Sequence, residues 1–274
     1  MRLRKVHQSS TGGDRLSNSI GSRQSKIGNA MRLQFLGTGG YHPNERRQTA
    51  CLLLPEIGVI LDAGTGFFRV AERLRTEDVQ IFLTHAHLDH IVGLTYSIVP
   101  FLLGKIRRAR LFSDDVYLQA VREHLYAQSV FPAQPPYEFV TLPDSVALPG
   151  GGELTWRRLK HPGGSIGFKL TWPGRSLAYI TDTTADGSYT EFVRGVDVLV
   201  HECYFPDDLA EWCEKTGHSH TSQVATLARD AEVGRLFLTH IDPQRADDDP
   251  IGIDIARRIF PATEIAHDLL EIEF

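Results

Sequence analysis

The chain has 274 residues, 42% of them apolar, enough to bury the core of one large domain. A net charge of −5 carries no whole-molecule signature of nucleic-acid binding, no apolar run reaches membrane-spanning length, and the N-terminus shows no signal-peptide core. Three cysteines (Cys51, Cys203, Cys213) without a C-x-x-C spacing argue against a disulfide framework or a cysteine-built zinc site, and fit a reducing, cytoplasmic setting.

Residues 1–30 are rich in Ser, Gly, Arg and Asn and carry Arg2, Arg4, Lys5, Arg15, Arg23 and Lys26 against Asp14 alone. Without periodic apolar residues this segment cannot offset its ordering entropy, so it is expected to be disordered. It reads as a basic arm, a Ser/Arg-rich leader, or an extension ahead of a true start at Met31. From Met31 the patterning turns α/β. Residues 32–36 form a short strand pattern ending in Gly37-Thr38-Gly39-Gly40, and residues 49–54 and 59–61 flank the hairpin signal Pro55-Glu56-Ile57-Gly58. Asp62-Ala63-Gly64-Thr65-Gly66 follows; neither Gly-rich loop matches G-x-G-x-x-G, which weakens a dinucleotide reading. An amphipathic helix is expected over 67–75 and a strand over 79–83.

That strand delivers Thr84-His85-Ala86-His87-Leu88-Asp89-His90, three imidazoles and a carboxylate within six residues. Imidazole nitrogens and carboxylate oxygens are ligands of zinc, manganese and iron. Unpartnered polar groups at the end of a buried strand would be costly, so a bound cation is the simplest reading. The pattern resembles the signature of the metallo-β-lactamase superfamily, the αββα metallohydrolases. The resemblance implies two mixed β-sheets sandwiched between helices, and two divalent ions, zinc or manganese. His85 and His87 would hold one ion, Asp89 and His90 the other. Asp62 would match an Asp-x-Gly motif whose carboxylate orients the ligands by hydrogen bonds.

Residues 88–103 read as a helix stopped by Gly104. Lys105, Arg107, Arg108 and Arg110 fit a solvated helix-to-strand connection better than a phosphate patch. A helix is expected over 116–128, broken by Phe131-Pro132-Ala133-Gln134-Pro135-Pro136; related phosphodiesterases carry a similar segment near the pocket, which makes Phe131 a candidate substrate contact. Residues 146–148 and 153–159 read as antiparallel strands. His161 resembles the fourth family His, completing the first ion's ligands. Ser165-Ile166-Gly167-Phe168 is similar to the Ser-x-Gly-Tyr of the phosphodiesterase branches, with Phe for Tyr, and puts Ser165 at the substrate. The strand 176–180 runs into Asp182, which resembles the family's bridging Asp. Asp rather than Cys at this place favours phosphodiesterase-like and glyoxalase-like relatives.

The strand 196–200 leads to His201-Glu202-Cys203, similar to the His-Glu-Ala of the ribonuclease Z group, with His201 expected to support the ligands. Gly217-His218-Ser219-His220 precedes a helix over 222–231. The resemblance makes His218 a transition-state stabiliser or general acid, with Glu202 fixing its tautomer; Asp89 counts in the catalytic set as well as among the ligands. The strand 235–238 ends at His240, the seventh ligand. A helix over 251–260 and a strand pattern over 264–274 close the chain. His7, His42, His124 and His267 are expected at the surface.

These residues together imply a dinuclear phosphodiesterase with a small, cyclic or nucleotide-type substrate, or a nucleic-acid end. Only twenty residues separate His161 from Asp182. In tRNA-processing relatives this interval carries a long arm, so tRNA 3′-end maturation is disfavoured. Three alternatives stay open: hydrolysis of a thioester, lactone or sulfate ester on the same ions, an arm-less ribonuclease Z-like RNA-processing enzyme, and a non-catalytic metal-stabilised module. Nucleic acid is not indicated by charge except through the basic arm, no membrane partner is expected, and a homodimer is open.

Overall fold

Parallel strands must be joined by crossovers, and the alternation of apolar strands with helical segments supplies them. The computed structural model describes residues 31–245 and 247–274; the expectations for residues 1–30, His7 included, lie outside the described residues. Met31–Phe274 forms one compact unit. Its first half holds β1 (Arg32–Gly37), β2 (Cys51–Leu54), β3 (Val59–Leu61), β4 (Asp78–Phe82), β5 (Arg108–Ser113) and β6 (Tyr137–Thr141). The second holds β7 (Ser145–Leu148), β8 (Gly152–Leu159), β9 (Ser165–Trp172), β10 (Arg175–Ile180), β11 (Val198–Glu202) and β12 (Arg235–Thr239), with β13 (Thr263–Ile265) and β14 (Glu271–Glu273) at the end. They build two mixed seven-stranded sheets, ordered β14-β1-β2-β3-β4-β5-β6 and β13-β12-β11-β10-β9-β8-β7. Strands β3 to β6 run parallel in the first sheet, and β10 to β13 in the second.

Three apolar layers show how the sheets stack. Leu33, Phe35, Leu52, Leu61 and Phe82 of the first sheet share one cluster with Phe168, Leu170, Tyr179, Val200 and Phe237 of the second, so the sheets pack face to face. Phe82 meets Phe168 edge-on at 5.9 Å, and Phe35 meets Phe237 at 5.6 Å. The alternate residues of each sheet, such as Ile60 and Ile81 or Leu199 and Leu236, pack outward against helical segments. This is the αββα arrangement. Among the described residues no helix is long and apolar enough to cross a membrane.

Four expected elements differ. The helix over 67–75 becomes a 3₁₀ stretch, Thr65–Arg69, followed by a single α turn, Val70–Arg73. The helix over 88–103 breaks into Leu88–Ile91, a 3₁₀ stretch Val92–Ser97 and Ile98–Leu102. At the break Gly93 N–H donates to the Ala63 carbonyl (2.7 Å), and a Cβ on Gly93 would come within 2.2 Å of the Gly64 carbonyl. Close backbone approach, rather than propensity, decides the local shape. The helix over 116–128 becomes Asp115–Ala120 plus a π turn, Val121–Leu125. The strand pattern over 264–274 splits into β13 and β14, which belong to different sheets. Between them the Asp268 carboxylate accepts from Thr38 N–H (3.1 Å) and Gln48 N–H (2.8 Å) and pairs with Arg69 (2.6 Å), which turns the chain from one sheet to the other. Strands β6 and β9 have no clear pattern in the sequence: prolines precede the first, and Gly167 and Lys169 blur the second. Arg107 and Arg108 pair with Asp78 as exposed side chains, in keeping with a solvated connection.

Candidate metal centre

Parallel strands of both sheets present their C-terminal ends to one edge, the place where α/β sheets gather ligands. Asp62 follows β3, His85 follows β4, Asp182 follows β10, Glu202 ends β11 and His240 follows β12. Asp62 (φ 59°), Asp182 (48°) and His240 (55°) all adopt left-handed backbone, as does Tyr41 (58°). Non-glycine residues rarely sit there, and such strain concentrates where side chains must be aimed. Gly40 lets the first sheet close on His240: its N–H donates to Ile241 O (3.0 Å), and a Cβ would lie 2.5 Å from the His240 ring.

The aimed side chains form two four-residue donor groups, His85, His87, His161 and Asp182, and Asp89, His90, Asp182 and His240, and a smaller one of Glu202, His218 and His240, each with its donor atoms within 4.8 Å of one another. Asp182 belongs to both four-residue groups. Its Oδ1 lies 3.2 Å from Nε2 of His90 and of His240, while Oδ2 lies 3.6 Å from His85 Nε2 and 3.7 Å from His161 Nε2.

The hydrogen bonds behind these atoms place a proton on Nδ1 of three of the rings. Asp62 accepts from Thr84 N–H (2.8 Å) and the Thr84 hydroxyl (2.9 Å), so that hydroxyl in turn accepts from His85 Nδ1–H (3.0 Å) and leaves His85 Nε2 bare. His90 Nδ1–H donates to Asp62 Oδ2 (2.8 Å) and His161 Nδ1–H to Gly217 O (2.9 Å), so Nε2 is the ligand nitrogen of each neutral ring. His85 Nε2 is buried and has no hydrogen-bond partner. His161 Nε2 faces His87 Nδ1 at 3.4 Å, and His90 Nε2 faces His240 Nε2 at 3.2 Å. A divalent cation satisfies converging imidazole nitrogens of this kind once it takes the place of the protons they share. The residues fit a metal pair.

Electrostatics agree. Burial lowers the pKa of His85, His87 and His161, favouring the neutral ligand form. Burial also works against charge on His90, but Asp182, Asp89 and Asp62 outweigh it and push that pKa up. The same three carboxylates would attract a cation in place of the proton.

Beside the two groups stands His218, its ring centroid 5.1 Å from that of His161 and 5.3 Å from that of His240. His218 Nδ1–H donates to Glu202 Oε1 at 2.9 Å. Glu202 is fully buried and also accepts N–H groups from Thr183 (2.8 Å), Ser219 (3.1 Å) and Tyr204 (3.3 Å). With four donors engaged, Glu202 is a fixed acceptor rather than a free ligand. Burial disfavours the His218 imidazolium, yet Glu202 prevails and raises its pKa to about 9.

Three anticipated residues land elsewhere. His201 shares β11 with Glu202 but points to the opposite face, where Nε2 meets the Tyr189 hydroxyl at 2.7 Å. Ser165 is buried and donates to the Asp182 carbonyl (2.7 Å), so it braces the Asp182 backbone instead of facing substrate. Phe131 packs on the outer layer of the first sheet near Tyr126 and is not among the residues lining the metal-side pocket. His220 bonds Asp207 (2.8 Å) just before the helix Thr221–Asp230, and His42, His124 and His267 are exposed. Sequence reasoning missed Thr84 and Tyr179, whose hydroxyl donates to Asp62 Oδ2 at 2.9 Å from the other sheet. A tyrosine amid the apolar residues of β10 was the available sign, since a buried hydroxyl needs a partner.

A family model described as the beta-lactamase superfamily domain matches residues 58–241. Ribonuclease Z of Methanosarcina acetivorans is 25% identical over 300 residues, covering 89% of this chain and 98% of that protein. The structure of YhfI from Bacillus subtilis, a metallo-beta-lactamase fold protein, superposes with a TM-score of 0.75 at 19% identity over 90% of this chain and 100% of its own. A diphosphatase from the PhnP family superposes at 0.67 with 21% identity, over 89% and 97%. At these identities the superpositions speak for the fold.

Proposed function

The chain belongs to the beta-lactamase superfamily, and from that premise we propose that it is a dinuclear metal-dependent phosphodiesterase acting on a small, cyclic or nucleotide-type phosphodiester. The observation that carries this reading is Asp182, with one carboxylate oxygen toward each donor group, beside the Glu202-held His218. Divalent cations bound there would supply Lewis acidity, making water acidic near neutral pH and offsetting charge on a phosphoryl group. Zinc suits the imidazole-rich first group, and manganese is compatible with the carboxylates of the second.

The chain's own residues do the remainder. Asp62, reached by Thr84 and His90, holds the imidazoles of both groups in the tautomer that leaves Nε2 bare. His218, with Nδ1–H fixed on Glu202, carries its mobile proton on Nε2 and releases it to the departing oxygen. Tyr204 stacks on the His218 ring (4.8 Å, 20°) and limits its rotation. The pocket has a volume of about 240 Å³, lined also by Pro162 and Phe205. The three cysteines are free and buried, which accords with reduced thiols and a cytoplasmic location.

Relatives named ribonuclease Z favour a second reading, an arm-less RNA-processing enzyme. Two observations weigh for the smaller substrate. The alignment to the Methanosarcina acetivorans protein spans 300 positions, more than the 274 residues here, so that relative carries segments this chain lacks. Between His161 and Asp182 the chain forms only the hairpin of β9 and β10, closed tightly by the Trp172–Arg175 pair.

Hydrolysis of bis(p-nitrophenyl) phosphate, metal-free and then with zinc or manganese, tests the reading. Metal-dependent turnover that disappears in Asp182→Ala supports it. Fully metallated wild type that turns over no phosphodiester overturns it, and acyl esters and thioesters become the substrates to try.

A further inference from the structure

The mouth of the pocket has an element that the proposed chemistry does not use. Tyr41 lines it with 67% of its surface exposed. Large aromatic side chains are ordinarily drawn into cores, so a tyrosine left in water at a site's rim asks for a partner. Its backbone is tied at several points. Its N–H donates to Asp89 Oδ2 (2.8 Å), Gly40 N–H is tied to Ile241 O (3.0 Å), and His42 N–H returns to Gly40 O (2.7 Å). Its φ of 58° is one that bulky residues rarely adopt, and these bonds maintain it. The ring is further braced edge-on by His42 at 5.1 Å.

We propose that Tyr41 is a stacking platform for a nucleobase, so that favoured substrates carry a base adjoining the scissile phosphate. This rests on the phosphodiesterase reading and specifies its substrate class. The backbone of Tyr41 is tied to the candidate ligand Asp89, and the residue lines the same pocket as Asp89 and Asp182. A platform whose backbone is already ordered binds with less further entropy loss than one on a free loop. The described residues lining this pocket include no Asn, Gln, Arg or Lys, the side chains that make bidentate contacts to purine edges or clamp phosphates. Without such bidentate contacts, recognition of the base is led by ring stacking, which every base can supply, and tolerance of base identity follows.

The test compares thymidine 5′-(p-nitrophenyl phosphate) with methyl p-nitrophenyl phosphate, which share a leaving group and differ in the base-bearing half. The ratio of kcat/KM for the two should fall about tenfold in Tyr41→Ala, mainly through KM of the nucleoside ester, within the range for a base on an aromatic ring. Tyr41→Phe should restore the ratio, and the adenosine ester should behave like the thymidine one. Equal losses on both substrates, or a Phe variant as impaired as Ala, overturn the platform and leave the phosphodiesterase reading standing. If metal-loaded wild type cleaves neither ester, that reading fails, and calorimetric binding of thymidine 5′-monophosphate decides for Tyr41. Binding weakened in Ala and kept in Phe supports the platform; binding alike in all three overturns it.

Discussion

His218 Nδ1 lies 2.9 Å from Glu202 Oε1, an oxygen that also accepts Thr183 N–H at 2.8 Å, so the imidazole hangs from a carboxylate that the backbone itself positions. On the proposed mechanism, a proton donor held this way serves chemistry rather than metal binding. His218→Ala should lower kcat by about 10²–10⁴-fold, with metal content by atomic emission unchanged. Loss of metal in that variant would place His218 among the ligands instead.

The same contact predicts a titration. In metal-free protein the His218 resonances should titrate near 9, and Glu202→Gln should bring that value down, since burial alone lowers it. The sign for stability follows. A folded-state pKa raised above the ordinary 6.5 stabilises fully below 6.5 and ceases to do so as pH rises through about 9. Thermal melts of metal-free wild type across that window should fall more steeply than those of His218→Ala. Parallel curves would count against the ion pair.

Asp182 joins the two donor groups, so its removal should weaken both ions. Asp182→Ala should lose bound zinc at both positions in competition with a chromophoric chelator, whereas His161→Ala should mainly affect the group of His85 and His87. Retention of one tight ion in Asp182→Ala would show that the carboxylate serves a single position.

Tyr179 donates to Asp62 Oδ2, the oxygen that also holds His90 Nδ1–H. Groups that orient metal ligands are worth about 10–100-fold in affinity. Tyr179→Phe should weaken zinc binding within that range, and Tyr189→Phe, which removes an equally buried hydroxyl bonded to His201, should not. Matching effects in the two variants would mean that general loosening of the second sheet, rather than Asp62, is responsible.

The amino-acid sequence, with the family resemblance it carries, named the candidate donor set and much of the frame. His85, His87, Asp89 and His90 are crowded into one turn after an apolar strand, where burying so many polar atoms is costly unless a cation pairs them. His161, Asp182 and His240 each close a strand pattern, and the structure brings all seven together. Tertiary structure decided which neighbours share that edge. His201 and Glu202 are adjacent in β11, a strand buried on both faces, and no hydrophobic alternation tells which parity meets the pocket. Ser165 and Phe131 sit in motifs near the site in order, yet one braces a backbone and the other packs outside the first sheet. Tyr179 reaches Asp62 across 117 positions of sequence, and Tyr41 reaches Asp89 through a backbone conformation unusual for its type. Such contacts depend on how two sheets face each other, a long-range packing property that local composition and periodicity do not encode.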